Sequence, residues 1–283
     1  MNTLITGATG DVGSKVVNCL LQRGVRPRIF VRDRERARSM FGDGVDIFAG
    51  DLAESSSLVP ALKDVEALYL VNTGPKIPQR DEAAAYLAKA SGVKRLVKLS
   101  SMDAQYDLAI GAWHERGEAA IRAIEIPFTF VQPTGFMSNL LAWTHSIRNE
   151  GIVRSSTGDG KRAFIHSEDI AAVSVEALIS DQYIGHSLPL TGPSALTFGD
   201  ATAAIGTAIG KALRYQPISD EEAGEQYSKF SGSQEETKAH VALWRAIREG
   251  RLGAVTDCVE RVLGRKALTL EQWAVENATT FRD

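Results

Sequence analysis

Chemistry is concentrated first in the run Thr6-Gly7-Ala8-Thr9-Gly10-Asp11-Val12-Gly13. It follows a short β-rich segment and opens a helical one. In that setting the three glycines serve different ends, which are a tight turn, a close approach of backbone to ligand, and close packing of helix on strand. Free N–H groups at the helix start and the positive end of its dipole then make an anion site. Strand, loop and helix in this order are the context that turns a glycine triplet into a diphosphate cradle. Gly7, Thr9, Gly10, Asp11, Val12 and Gly13 are therefore candidate contacts to a dinucleotide, at a GxxGxxG spacing one residue longer than GxGxxG.

Arg32-Asp33-Arg34 follows the second predicted strand. The end of that strand faces the adenosine ribose; an acid there selects NAD, whereas arginine binds a 2′-phosphate and selects NADP. Arg32 at the strand end favours NADP(H), with Arg34 or Arg36 adding positive field. Asp33, twenty positions beyond Gly13, keeps NAD(H) as the alternative. A solvated helix start of mixed charge is the plain reading. Asp51 and Leu52 follow the third strand, and Asn72, Thr73 and Gly74 the fourth. Ligands bind at such carboxyl ends, so Asp51 is a candidate for the adenine amino group, Leu52 for its ring, and Thr73 and Gly74 for the ribose. Each alone is equally turn chemistry.

These residues need a parallel sheet to bring them together. Strands are expected at Thr3–Thr6, Pro27–Val31, Val45–Ala49, Ala67–Val71, Arg95–Leu99 and Phe128–Val131. Helices are expected between them at 12–23, 34–41, 55–62, 81–90 and 112–124. Several strands are continuous apolar runs, as in a sheet covered on both faces. The alternation predicts an α/β fold, a Rossmann-type doubly wound parallel sheet. Beyond Pro133 the rhythm loosens: helices are expected at 136–149, 167–179 (with Ser167 as cap), 198–209, across the polar stretch 221–252 and at 268–281, with a strand at 187–191. The expected division is a dinucleotide-binding core over 1–135 and a mixed segment over 136–283, mainly a smaller, dependent C-terminal α/β substrate lobe.

The chain has 283 residues, 44% hydrophobic and 24% charged, with net charge −3, the profile of an ordinary globular protein. Basic residues are spread along it, so neither a nucleic acid nor a membrane surface is an expected partner. Only Cys19 and Cys258 are present and no Cys/His cluster has ligand spacing, so no metal is expected. No run approaches the ~20 apolar residues of a spanning helix, and no secretory leader is evident at Met1. A cytoplasmic location is the expectation by elimination.

Taken together, TGATGDVG at 6–13, FVRDRERA at 30–37, GDLAE at 50–54 and AKASGVKRLVKLSS at 88–101 resemble the atypical short-chain dehydrogenases/reductases, and within them the NmrA-like group. The likeness continues through the His114 region and Pro133-Thr134-Gly135-Phe136-Met137-Ser138-Asn139. That group includes NADPH-dependent quinone reductases and triphenylmethane reductases. The resemblance implies further cofactor contacts at Ser100, Pro133 and Thr134. One departure from ordinary short-chain dehydrogenases matters: no tyrosine here has a lysine four residues later. Trp113-His114-Glu115-Arg116-Gly117-Glu118 stands in that region, similar to the H-x-x-x-E arrangement of the quinone reductases.

Without the Tyr–Lys pair, alcohol–ketone interconversion is disfavoured, because an alkoxide needs a well-tuned acid. A quinone or conjugated dye yields a delocalised, weakly basic anion, and positioning against nicotinamide could supply most of the catalysis. His114 is the candidate catalytic donor to the acceptor, or packs against the cofactor ribose; Ser101, with Ser100 in the usual catalytic-serine region at the end of the fifth strand, is a second catalytic candidate that contacts nicotinamide or substrate, or simply caps the strand. Phe136, Met137, Asn139 and Trp143 are candidates for the substrate wall, or for core. The implied activity is NAD(P)H-dependent reduction of a conjugated small molecule, including a tailoring role in secondary metabolism. The alternative is an NmrA-type sensor that binds NAD(P) without turnover and controls a protein partner. A homo-oligomer stays open.

Overall fold

The structure, a computed structural model, describes residues 2–106 and 108–282. The first elements are β1 (Thr3–Thr6), α1 (Asp11–Gln22), β2 (Arg28–Val31), α2 (Arg34–Phe41), β3 (Asp46–Ala49), α3 (Val59–Leu62), β4 (Ala67–Val71) and α4 (Ile77–Ala90). They continue with β5 (Arg95–Leu99), α5 (Ala109–Ile124), β6 (Phe128–Pro133), α6 (Thr144–Glu150), β7 (Ile152–Ser155), β8 (Lys161–Arg162) and α7 (Ser167–Ile179). The last are β9 (Ser187–Leu190), β10 (Leu196–Thr197), α8 (Phe198–Ile209), β11 (Arg214–Pro217), α9 (Asp220–Ser228), α10 (Gln234–Arg248), α11 (Cys258–Leu263), α12 (Leu270–Glu276) and α13 (Ala278–Arg282). Short 3-10 turns occupy Ser55–Leu58, Met102–Gln105, Met137–Trp143 and Asp181–Tyr183.

The central sheet is parallel and seven-stranded, in the order β3-β2-β1-β4-β5-β6-β9. The order reverses direction beside β1, which creates the crevice where doubly wound sheets bind ligands. The fold is the expected Rossmann-type α/β architecture. Leu4, Leu68, Leu70, Leu96 and Phe130 of these strands are buried with Leu58, Leu62 and Ile121 in one apolar cluster. This is why the strands read as continuous apolar runs rather than alternating ones.

The chain divides into two compact units. The first holds Met1–Gln105, Gly111–Pro133 and Ser167–Pro189; the second holds Tyr106–Ile110, Thr134–His166 and Leu190–Asp283. The sequence places one boundary after residue 135, whereas the chain returns to the first unit at α7. The reason is packing. Arg23, just past α1, pairs with Glu176 of α7 at 2.5 Å, Ser167 Oγ donates to Asp11 at 2.5 Å, and Arg95 of β5 donates to the Leu178 carbonyl. Helix α7 thus covers the face of the sheet that α1 covers.

The second unit carries two-stranded ladders, β8 with β10 and β7 with β11. Its core gathers Met137, Leu140, Phe164, Phe198, Ile205 and Trp273. The helix expected over 136–149 is a 3-10 turn followed by α6, which Gly151 ends in a left-handed conformation. The polar stretch 221–252 is two helices, each started by its own serine: Ser219 in a capping box with Glu222, and Ser233 accepting from Glu236 N–H. Among the described residues, no helix is long and apolar enough to cross a membrane.

Inside the first unit, Lys98 of β5 and Asp81 of α4 are both 0% exposed, with Nζ and Oδ2 2.5 Å apart. Asn72, after β4, donates its amide to Asp81 Oδ1 at 2.7 Å. Removing one member of such a pair leaves a buried charge without compensation, which costs about 3–5 kcal/mol. Lys98→Met is therefore expected to lose that much in urea unfolding. Lys98→Met/Asp81→Asn, which removes both charges and keeps an acceptor for Asn72, should recover most of it. Equal losses in the single and double variants would show that the ion pair is not what the lysine contributes.

Candidate functional site

The glycine loop lies between β1 and α1. Gly7 adopts φ +63°, which an L side chain rarely adopts, and a Cβ there would press Val71 at 2.9 Å. A Cβ on Gly13 would fall 2.1 Å from the Gly7 carbonyl oxygen. Helix α1 can sit this close to the loop only with glycine at that position. Gly10 differs: it precedes the helix at φ −89° and ψ 177°, and a Cβ would meet only the Gly7 oxygen, at 3.2 Å.

Gly10 has no side chain, so no side-chain cap reaches the first turn of α1. An anion is the natural partner of such a helix start. The Asp11 carboxylate could repel one, but it accepts from Lys15 Nζ at 2.6 Å and from Ser167 Oγ. Its charge is therefore compensated from within the first unit.

A cavity of about 470 Å³ opens over this loop. Gly7, Thr9 and Gly10 line it at the phosphate end, and Asp51, Leu52 and Phe30 line it beyond β2 and β3. Phe30 is pressed so close to Gly50 that a Cβ there would fall 2.4 Å from the ring. Asp51 Oδ1 accepts from Ala53 N–H at 2.9 Å, which holds the loop that carries Leu52. Arg32, Asn72 and Thr73, all expected at the site, line the cavity too.

The arginines sort by direction. Arg32 and Arg36 both line the cavity, and Arg36 also donates to the Thr9 carbonyl at 3.3 Å. Arg34 is not among the lining residues; it donates to the Ile47 carbonyl of β3 at 3.2 Å. Asp33 is engaged as the cap of α2, accepting from Arg36 N–H at 2.9 Å. Arg80 on α4 lines the cavity as well. Nothing in its local sequence signals this, because only the fold of β4 into α4 brings it there.

The other expected residues lie elsewhere. Val12 is buried in the first turn of α1, and Gly74 turns the chain at φ +79° ahead of α4. Ser100 donates to Glu118 Oε1 at 2.5 Å, and Glu118 also accepts from Gln132 and Arg122. Ser101 Oγ accepts from Asp103 N–H at 3.1 Å and opens the 3-10 turn there. Pro133 ends β6, and Thr134 donates its N–H to the Leu190 carbonyl. In the second unit, Met137 is 1% exposed within the core and Trp143 packs on Phe198 at 5.5 Å between ring centroids. Phe136 bridges to Ile165, while Asn139 is exposed.

His114 does not line the cavity either. Its ring is partly exposed, but Nδ1 is fully shielded and has no hydrogen-bond partner. Burial, reinforced by the Lys98 charge, holds its pKa well below the ordinary histidine value, so the ring is neutral. No group of three or more His, Cys, Asp or Glu among the described residues could hold a metal. The uncapped helix start, the glycine cradle and the arginines beside it fit the phosphates of a dinucleotide.

Known proteins are similar to this chain over nearly its whole length. An NAD(P)H azoreductase of Xenophilus azovorans is 34% identical, with 98% of each chain covered. A (4-alkanoyl-5-oxo-2,5-dihydrofuran-3-yl)methyl phosphate reductase of Streptomyces griseus subsp. griseus is 35% identical, again with 98% of each chain covered. Among solved structures, a quinone oxidoreductase from Escherichia coli complexed with NADPH superposes with a TM-score of 0.87 at 23% identity, covering 98% of this chain and 99% of that one. The NmrA-like family model matches residues 2–272, and the chain belongs to the NmrA-like family.

Proposed function

We propose that this chain is an NADPH-dependent reductase that passes hydride to a quinone-like or other conjugated small molecule. The observation that carries the cofactor preference is the division of labour after β2. Arg32 and Arg36 border the cavity, while Asp33, the acid at the strand end, is engaged as a helix cap. A 2′-phosphate would meet two guanidinium groups there, and the ribose hydroxyls of NADH would find the Asp33 carboxylate already occupied. NADH is the weaker alternative.

The acceptor follows from what the chain lacks. It has no Tyr-x-x-x-Lys pair to protonate an alkoxide, and His114 is neutral. Acceptors whose reduced anion is already stabilised by conjugation need least from the protein. The azoreductase and dihydrofuran-phosphate reductase names of the relatives fit this class. The nicotinamide, when bound, supplies the hydride. The chain's part is to hold the diphosphate at Gly7–Gly10, seat the adenine end by Phe30 and Leu52, and hold the ribose by Arg32.

The reading is tested by NADPH oxidation on addition of a panel of quinones and azo dyes; no oxidation above background with any acceptor would remove it. Arg32→Glu should weaken NADPH about ten- to a hundredfold more than NADH, the scale of a lost charge-assisted hydrogen bond; equal losses would refute the preference. Gly10→Val is expected to fold, because its backbone is ordinary extended, yet to abolish nucleotide binding by filling the cavity. Titration by tryptophan fluorescence or calorimetry checks it, and unchanged affinity in a folded variant would displace the site. The neutral state of His114 adds a pH signature. A cationic histidine acid would make the rate fall as pH rises through its pKa; a neutral donor predicts no such limb between about pH 6 and 8. Wild type and His114→Gln should then share one profile shape, and a limb present only in wild type would contradict it.

A further inference from the structure

Arg80 borders the dinucleotide cavity from α4, and no hydrogen bond or ion pair among the described residues engages its side chain. Two constraints set the rotation of this helix. Asp81, the next residue, is turned inward, to Lys98 Nζ at 2.5 Å and the Asn72 amide at 2.7 Å. Ala84 and Leu87 follow Arg80 by four and seven residues and so share its face of the helix. Both pack in the apolar cluster that holds Phe30, Leu52 and Leu58. Arg80 therefore stands at the end of that cluster, beside the loop after β3. Ser57 ties the neighbouring turn to the same loop, its Oγ accepting from Asp51 N–H at 3.1 Å. The phosphate end of the cavity is built by other residues, Gly7, Thr9 and Gly10, with Arg32 and Arg36 after β2.

We propose that Arg80 is a base-binding residue whose guanidinium lies flat on the adenine of the dinucleotide. The inference rests on the cofactor site described under the proposed function, and it adds a residue and a role to that site. Asp51 and Arg80 line one cavity yet form no ion pair with each other, so neither charge is cancelled by the other. A phosphate beside Arg80 would also lie near the Asp51 carboxylate, which repels it. A neutral aromatic base suits both groups, because its amino edge donates to a carboxylate and its face accepts a cation. A guanidinium is planar and weakly hydrated, and it stacks on aromatic rings where an ammonium does not. Adenine is common to NADPH and NADH, so Arg80 adds affinity for both, whereas Arg32 distinguishes them.

Calorimetric titration with adenosine 2′,5′-bisphosphate and cytidine 2′,5′-bisphosphate tests this without nicotinamide or turnover. The two probes share ribose and phosphates and differ only in the base. Arg80→Ala, at a partly exposed helix position that alanine favours, should fold. It should weaken the adenosine probe about five- to tenfold, the scale of one cation–π contact. The cytidine probe should lose no more than about twofold. Arg80→Lys, which keeps the charge without the plane, should lose nearly as much as Arg80→Ala. NADPH and NADH should each lose about the same five- to tenfold, and Arg32→Glu should weaken both probes alike. Equal losses of the two probes in Arg80→Ala would assign the guanidinium to ribose or phosphate and overturn the proposal. Full affinity for the adenosine probe in either Arg80 variant would overturn it as well. A wild type that binds neither probe nor NADPH would remove the dinucleotide site and the proposal with it. Base-dependent binding with no NADPH oxidation on any acceptor would instead remove the reductase reading alone.

Discussion

Gly10 stands before α1 with no side chain to offer its first N–H groups, and Gly13 lets that helix start sit against the loop. The site follows from this pair of omissions. Four N–H groups at a helix start need partners, and most helices supply one through Ser, Thr, Asp or Asn at the cap. Here α9, α10 and α12 are capped that way, by Ser219, Ser233 and Thr269. Helix α1 is left to an external anion. The closeness forced at Gly13 aims its axis at the carboxyl end of β1, where the sheet order reverses and the cavity opens.

Charge is then managed around that opening. Asp11, the acid nearest the anion position, is neutralised by Lys15 and hydrogen-bonded by Ser167. Asp33 is turned into the backbone of α2, and the same short helix sends Arg34 toward β3 and Arg36 toward the loop. The result is a cavity edge whose nearest side chains after β2 are cationic. The composition as a whole, at net charge −3, gives no hint of it.

A second polar system lies in the first unit, where Lys98 and Asp81 are wholly buried. A buried ion pair is rarely the most stabilising choice for a core position. Here it holds the Asn72 amide at the cavity wall and lies against Gly117 of α5. Its position between these groups suits a pair retained for orientation rather than stability.

The glycine motif, the parallel strand–helix alternation and Arg32 were legible from local spacing, because each depends on residues within one βαβ unit. The helix at Ser167–Ile179 was legible from its apolar period as well. Its membership of the first unit was not, since Arg23–Glu176 and Asp11–Ser167 join residues about 150 positions apart. The two-residue strands β8 and β10 carry no period at all and exist only through each other. Arg36 rather than Arg34 along the cavity, Arg80 at its wall and the buried Lys98–Asp81 pair likewise depend on three dimensions. Local sequence determines which backbone segments can form and where a helix start is left open. Which way a long side chain points, and which charges are buried side by side, depends on partners that only the folded sheet brings within reach.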